Sequence, residues 1–191
     1  LQVEEHGATV ESLGANLGLR FGIAAGYRYA LEHGYAFCGR VDADGQHPPE
    51  ELARLLALVQ EDRCDVAVGS RFVSGDGYEP FRYRPSAARR LGTGLLRRSV
   101  SIVLGQPFAD ATSGLYAVND KALPLLATPY TSGAPEVEAL IRIVNAGLRL
   151  LEVPVNMAPR AGGESKLRGS KAVKLVMTVV GTLLLAEWAR R

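Results

Sequence analysis

Two aspartates spaced two residues apart are the sharpest chemical feature of the sequence. Asp42 and Asp44 lie in the run Val-Asp-Ala-Asp-Gly-Gln-His-Pro, directly after an apolar segment that predicts a strand over residues 35–41. Side chains two apart in an extended chain point the same way, so these carboxylates repel unless a cation or hydrogen bonds hold them. Mg²⁺ prefers oxygen ligands and commonly takes one or two carboxylates together with substrate phosphates. The pair therefore indicates either a divalent-cation site or an acidic turn that caps the next helix.

The elements around this pair alternate between strands and helices. The predicted strands cover residues 8–11, 35–41, 65–68, 115–118 and 148–155. The predicted helices cover residues 21–33, a segment that begins at 48, and residues 87–104 and 136–146. Strands separated by helices predict an α/β fold with a mostly parallel sheet. Such sheets bind ligands outside the carboxyl ends of their strands, which is where the acidic pair falls.

Composition places the chain among ordinary globular proteins. Its 191 residues are 47% hydrophobic and 22% charged, which fits one domain with a sizeable core. The net charge of +2 argues against a nucleic-acid partner. Cys38 and Cys64 are expected to be buried, reduced thiols in a cytoplasmic protein. The first 22 residues carry no long apolar run that would indicate a signal peptide.

Three further motifs follow the acidic pair in order. They are Val68-Gly-Ser-Arg-Phe72, Asp110-Ala-Thr-Ser-Gly114 and Arg160-Ala-Gly-Gly-Glu-Ser-Lys166. Together with Asp42-Ala-Asp-Gly-Gln-His-Pro-Pro-Glu50, they resemble the family 2 glycosyltransferases, and most of all the polyprenyl-phosphate (dolichyl-phosphate) mannose or glucose synthases. The resemblance covers roughly residues 14–170, and agreement between several motifs makes it specific.

The resemblance implies a fold and a reaction. The fold is a GT-A Rossmann-like nucleotide-diphospho-sugar transferase domain. The reaction is inverting transfer of a hexose from a nucleotide-sugar, GDP-mannose or UDP-glucose, to a polyprenyl phosphate with Mg²⁺ or Mn²⁺. It also implies that Asp44 and Gln46 hold the metal, with Asp42 closer to the nucleotide. A metal held there would neutralise the charge that grows on the departing diphosphate.

Other polar residues in these motifs are candidates for catalysis and phosphate binding. Asp110 is the best candidate for a base or for orienting the sugar, and capping of its own turn is the alternative. His47 either hydrogen-bonds a phosphate or packs between prolines. A phosphate-monoester acceptor carries about −1.5 to −2 charge at pH 7, so it needs binding and aiming more than a strong base. The candidates for that task are Arg71, Arg160, Ser165 and Lys166.

The two ends of the chain raise separate expectations. The family normally opens with a Pro-x-Asn-Glu strand and a second strand that ends in Asp-Asp-Gly-Ser-Thr-Asp, and neither is present. We therefore expect residues 1–169 to be a glycosyltransferase domain that is truncated at its N-terminus, or a degenerate one. Residues 170–191 predict an amphipathic helix that is too short to span a bilayer and either docks on the core or lies in a membrane interface.

Arginines at 82, 84, 89, 90, 97 and 98 form a basic cluster that either faces anionic headgroups or is simply solvated. Three functions therefore compete. The first is a polyprenyl-phosphate glycosyltransferase, peripheral at the cytoplasmic face of the membrane. The second uses a saccharide acceptor in cell-wall or polysaccharide synthesis. The third is a non-catalytic remnant that binds a membrane or a partner.

Overall fold

The computed structural model describes residues 7–75, 77–78, 87–158 and 181, with side chains from residue 87 to 96 described only at Gly94. Its helices are α1 Leu19–Glu32, α2 Pro49–Gln60, α3 Ala87–Leu104, α4 Leu123–Leu126 and α5 Pro135–Asn145. Its strands are β1 Phe37–Arg40, β2 Val66–Ser70, β3 Tyr116–Asn119 and β4 Leu150–Pro154. The α/β class predicted from the sequence is confirmed.

The four strands form one mixed sheet in the order β1-β3-β2-β4. β3 runs antiparallel to both of its neighbours, and the one parallel pairing is that of β2 with β4. The expectation of a mostly parallel sheet is therefore wrong for the described residues, although β1, β2 and β4 share one direction. The physical reason is that the segment after α3 contacts Leu150 at the start of β4, then Glu152, and turns at residues 110–114, so that the chain enters β3 from the carboxyl edge.

This reversal brings the ends of β1 and β2 to the start of β3. Tyr116, the first residue of β3, lies opposite Arg40 at the end of β1 and opposite Val68 near the end of β2. The chain segments that follow β1 and β2 and the turn that precedes β3 therefore share one edge of the sheet. That edge is where the sequence analysis placed the acidic pair.

Helices cover both faces of the sheet. On one face, Val66 and Val68 pack with residues of α1, α3, α4 and α5 in the larger core. On the other face, Ala67 and Ala117 pack beneath α2. α2 and α5 both begin at a proline with glutamates in the first turn, an arrangement that suits the unsatisfied N–H groups there.

Two predicted elements differ from the structure. The strand expected over residues 8–11 does not form, and its residues are exposed, because this short segment has no buried face to pair with the sheet. The short helix α4 was not predicted, because four residues are too few to show a helical period.

The opposite edge of the sheet is tied together by a buried carboxylate. Asp65, just before β2, accepts hydrogen bonds from Asn119 Nδ2 at 2.9 Å and from the backbone N–H and Nε of Arg149 at 2.8 and 3.1 Å. Its residue is only 4% exposed. The hydrogen bonds from Arg149 hold the pKa of Asp65 below its ordinary range, against the opposing effect of burial. This carboxylate therefore joins the starts of β2 and β4 to the end of β3.

We expect Asp65→Asn to lower the free energy of unfolding at pH 7 by about 1–3 kcal/mol, because Arg149 and the buried Asn119 amide lose their ionised acceptor. A depressed native pKa stabilises the fold above the ordinary carboxyl value, 3.8 for this group, and that contribution is lost as the pH falls below it. The gap between wild type and variant should therefore shrink from pH 5 toward pH 2 in denaturant titrations.

Asp120→Asn is the matched control, because Asp120 is an exposed aspartate directly after β3, the strand that ends at Asn119. A gap between wild type and Asp65→Asn that stays constant across this pH range would contradict the assignment.

Candidate active site

The turn at residues 110–114 lies at the centre of the candidate site, at the edge of the sheet where β1 and β2 end. It connects the segment after α3 to β3, and its Asp110 and Ser113 are buried. The Ser113 N–H donates to the Asp110 carbonyl at 3.3 Å, and the Leu115 N–H donates to Ser113 Oγ at 3.2 Å. These local bonds give the turn a fixed shape before any partner binds to it.

Arg71 follows the last residue of β2 and binds this turn through a bidentate pair. Its Nε and Nη2 donate to Asp110 Oδ2 and Oδ1, each at 2.7 Å, and its backbone N–H donates to Oδ2 at 3.1 Å. Nη2 also donates to Thr112 Oγ1 at 3.0 Å. The Asp110 side chain has no solvent exposure, whereas 28% of the Arg71 side chain remains exposed. The guanidinium is therefore held firmly with part of it open to solvent.

Arg71 and Asp110 carry opposite charges that stabilise each other. Burial alone would lower the pKa of Arg71, but the hydrogen bonds and charge of Asp110, with smaller contributions from Asp42 and Asp44, outweigh it and raise the pKa. Arg71 is thus a permanent cation at the edge where a phosphate is expected. Both oxygens of Asp110 are engaged by Arg71, so the base role of Asp110 stays a prediction beside this positioning role.

Asp42 meets the other end of the same turn. A methyl group built on Gly114 would lie 2.2 Å from Asp42 Oδ2 and 2.5 Å from its Cγ, so only glycine leaves room for this carboxylate. The second oxygen of the carboxylate, Oδ1, accepts a hydrogen bond from Arg40 Nη2 at 3.3 Å. The turn thus brings together the first aspartate of the acidic pair and Arg71.

Arg40 and Glu152 hold this arrangement in place through hydrogen bonds. Arg40 Nη2 also donates to Glu136 Oε1, at the start of α5, at 3.2 Å. Glu152 of β4 accepts hydrogen bonds from the N–H of Ala109 at 2.8 Å and of Asp110 at 2.7 Å, which fixes the entry to the turn. The sequence analysis missed Arg40, Glu136 and Glu152. An arginine two residues before the acidic pair, on a strand, was the one available signal.

Asp44 and Gln46 form the loop that follows Asp42. Asp44 Oδ1 accepts the Gln46 N–H at 3.1 Å, and the Gln46 carbonyl accepts the Ala158 N–H at 3.0 Å. Gly45 has a φ of 75°, which a glycine adopts without strain. These contacts hold a tight loop that ends in a peptide bond to the half-buried His47.

The pKa of His47 is affected by four charged residues of the site. Burial lowers its pKa, Asp42 and Asp44 oppose that change, and Arg71 and Arg40 reinforce it. Its Nδ1 is buried and has no hydrogen-bond partner in the part of the chain that the structure describes. Whether it binds a phosphate stays a prediction.

The donor atoms at this edge suit a hard divalent cation. Asp44 and Gln46 offer a carboxylate and an amide oxygen, and Asp42 adds a second carboxylate next to them. Across residues 7–75, 77–78, 87–158 and 181, no three His, Cys, Asp or Glu side chains are grouped to hold a metal ion by themselves. An all-oxygen set of few protein ligands fits Mg²⁺ or Mn²⁺, because Mg²⁺ usually keeps waters and substrate phosphates as its other ligands.

A comparison with protein families agrees with this geometry. Residues 1–117 match the model of glycosyl transferase family 2. The chain belongs to this family. The resemblance found in the motifs is thereby confirmed, as is the enzyme class of the family, a glycosyltransferase.

Curated relatives of this family 2 chain carry names that describe polyprenyl-phosphate chemistry. The undecaprenyl-phosphate mannosyltransferase of Micrococcus luteus is 32% identical over 174 residues, which are 90% of this chain and 69% of the relative. The polyprenol monophosphomannose synthase of Mycolicibacterium smegmatis is 31% identical over 91% of this chain and 63% of the relative. The dolichol-phosphate mannosyltransferase of Pyrococcus furiosus is 31% identical over 68% of this chain and 35% of the relative.

Several predicted residues of the family 2 site lie outside the described residues. These are Arg82, Arg84, Arg160, Ser165 and Lys166, the side chains of Arg89 and Arg90, and all of the predicted helix 170–191 except Gly181. Arg97 and Arg98 are exposed on α3. Within the described segments, no helix is long and apolar enough to cross a membrane.

We expect Gly114→Ala to displace the Asp42 carboxylate, because the new methyl group would overlap it. Activity with a nucleotide-sugar should fall by about tenfold or more, as misplacement of about 1 Å commonly costs far more than that. Steady-state kinetics combined with a crystal structure of the variant measures both effects.

The matched control is Gly26→Ala, on α1, where an added methyl group meets nothing within 4 Å. Wild-type activity in Gly114→Ala, with Asp42 unmoved, would show that the close contact is unimportant.

Proposed function

We propose that this protein transfers a hexose, with inversion, from a nucleotide-sugar such as GDP-mannose or UDP-glucose to a polyprenyl phosphate. The observation that carries the proposal is the 110–114 turn, which brings Asp42, the first residue of the acidic motif after β1, and the fixed cation Arg71 to one edge of the sheet. The names of the relatives support the acceptor class. We place the protein at the cytoplasmic face of the membrane, with residues 170–191 as an interfacial helix.

The donor half of the site is built on the loop after β1. Asp44 and Gln46 would hold the Mg²⁺ or Mn²⁺, which when bound neutralises the charge on the diphosphate as the sugar departs. Asp42, fixed between Gly114 and Arg40, would orient the nucleotide next to that ion. Because the Asp44 carboxylate accepts the Gln46 N–H and the Gln46 carbonyl accepts the Ala158 N–H, the loop has a fixed shape when a charged substrate enters.

The acceptor half is built on the residue after β2. Arg71 would bind the polyprenyl phosphate, because a guanidinium matches phosphate oxygens in geometry and charge. Arg160, Ser165 and Lys166 would complete that phosphate site. Asp110 would hold the Arg71 guanidinium in position and stays a candidate for orienting the sugar.

The spacing of the strands suits an inverting transfer. Inversion requires the acceptor oxygen to approach the sugar from the side opposite the departing diphosphate. β1 and β2 are separated by β3, so the two halves of the site start about 9–10 Å apart, at the usual spacing between neighbouring strands. That gap leaves room for a hexose between an ion-bound diphosphate and an arginine-bound phosphate.

We expect Asp44→Ala to abolish metal-dependent turnover of the nucleotide-sugar and to leave the fold intact. The reason is that the variant loses a carboxylate that faces the ion and leaves the strand beneath it unchanged. Radiolabelled sugar transfer, followed as a function of Mn²⁺ concentration, measures the loss, and circular dichroism checks the fold.

Asp120→Ala is the control, since Asp120 is an exposed aspartate beyond the other end of β3. Normal turnover by Asp44→Ala would remove the metal assignment.

The acceptor is tested by direct competition. Undecaprenyl phosphate in mixed vesicles is compared with saccharide acceptors, each with GDP-mannose and with UDP-glucose. We expect transfer to the lipid phosphate, and Arg71→Lys should reduce it by about tenfold or more, because lysine cannot form the paired hydrogen bonds to Asp110 that hold the cation in position.

Transfer to saccharides alone would favour cell-wall or polysaccharide synthesis and contradict the proposal. Failure of the protein to bind a nucleoside diphosphate in a metal-dependent way would favour a non-catalytic role.

A further inference from the structure

Arg40 is a buried cation shared between two carboxylates. Only 11% of its side chain is exposed, and its Nη2 donates to both Asp42 Oδ1 at 3.3 Å and Glu136 Oε1 at 3.2 Å. Its guanidinium also lies 5.7 Å from the centre of the Tyr116 ring, within range of a cation–π interaction. Glu136 has no part in the transfer chemistry described above, and Arg40 enters it only through its contact with Asp42.

The surroundings restrict where the Asp42 carboxylate can go. The whole carboxylate packs against Gly114, where an added methyl group would lie 2.2 Å from Oδ2 and 2.8 Å from Oδ1, and Arg40 donates a hydrogen bond to Oδ1. Glu136 in turn holds Arg40 from the first turn of α5, with 18% of its own side chain exposed. A carboxylate held in this way keeps one oxygen in a hydrogen bond with a cation and is less available to a second cation.

The charges of the three groups add to −1, because one arginine is shared by two carboxylates. Removing Arg40 would leave two uncompensated negative charges near the loop of Asp44. Removing the charge of Glu136 would leave Arg40 to neutralise Asp42 alone. The two changes therefore shift the local charge in opposite directions.

We propose that Arg40 and Glu136 are positioning residues that hold Asp42 against Gly114 and withhold one of its oxygens from a divalent ion. Because Glu136 shares the Arg40 guanidinium, it determines how far Arg40 neutralises the charge of Asp42. The inference rests on the proposed function for the identity of the ion and the substrate, but its geometry comes from Arg40, Asp42, Gly114 and Glu136 alone.

The test measures binding of Mn²⁺ alone, by electron paramagnetic resonance of the free ion, together with sugar transfer. In Arg40→Gln we expect Mn²⁺ to bind about fivefold tighter, because a nearby positive charge is removed and Asp42 is released. Transfer should nevertheless fall by about tenfold or more, because the released carboxylate no longer has a fixed position. Arg40→Lys, which restores the charge, should return the Mn²⁺ affinity toward wild type.

Glu136→Gln gives the opposite sign and keeps the test valid if Arg40→Gln fails to fold. We expect its Mn²⁺ affinity to weaken by about twofold or more, since Arg40 then neutralises Asp42 alone. The matched control is Arg149→Gln. Arg149 also bridges two aspartates, Asp62 and Asp65, but at the far edge of the sheet, so its loss should leave Mn²⁺ affinity unchanged.

The possible outcomes separate this inference from the proposed function. Opposite shifts in Mn²⁺ affinity without sugar transfer by the wild type would support the positioning role and reject the proposed reaction. Normal transfer by the wild type with unchanged affinity in both variants, or with shifts of the same sign, would overturn the positioning role alone. Absence of Mn²⁺ binding by wild type and variants alike would also overturn it.

Discussion

A buried carboxylate needs a cation, and the pairing of Asp110 with Arg71 meets that need where the segments after β1 and β2 meet the turn before β3. The Asp110 side chain has no solvent exposure and is bound through both oxygens. Burying such a pair gains little net stability, because desolvation offsets much of the attraction. Its consequence is geometric. The pair fixes the 110–114 turn to the end of β2, and Glu152 fixes the same turn to β4.

The other end of that turn imposes a steric constraint on the acidic motif. Gly114 leaves room for the Asp42 carboxylate and for nothing larger at that point. Arg40 then holds the carboxylate from the opposite side, and Glu136 ties Arg40 to α5. Donor and acceptor functions in a glycosyltransferase must be held a sugar's width apart. In the proposed function, the short 110–114 turn, which contacts both Asp42 and Arg71, would set that separation.

Much of this could be predicted from the sequence, because local patterns carry it. Helical spacing located α1 and α3, prolines followed by glutamates marked α2, and four motifs in order identified the family. The reversed direction of β3 could not be predicted, because it depends on which edge the chain reaches after α3. The partners of Arg40 and Glu152 lie 96 and 42–43 residues away in the chain, and nothing local in the sequence specifies such contacts. Asp110 illustrates the same limit, since its residue type suggested a base and its position reveals a partner for Arg71.

A crystal structure of the protein with Mn²⁺ and a nucleoside diphosphate tests the central claim most directly. The account predicts the ion on the Asp44 carboxylate and the diphosphate, with Asp42 still seated on Gly114 and Arg71 still paired with Asp110 across the gap. An ion bound elsewhere, with Asp42 and Asp44 turned away from an empty edge of the sheet, would contradict it.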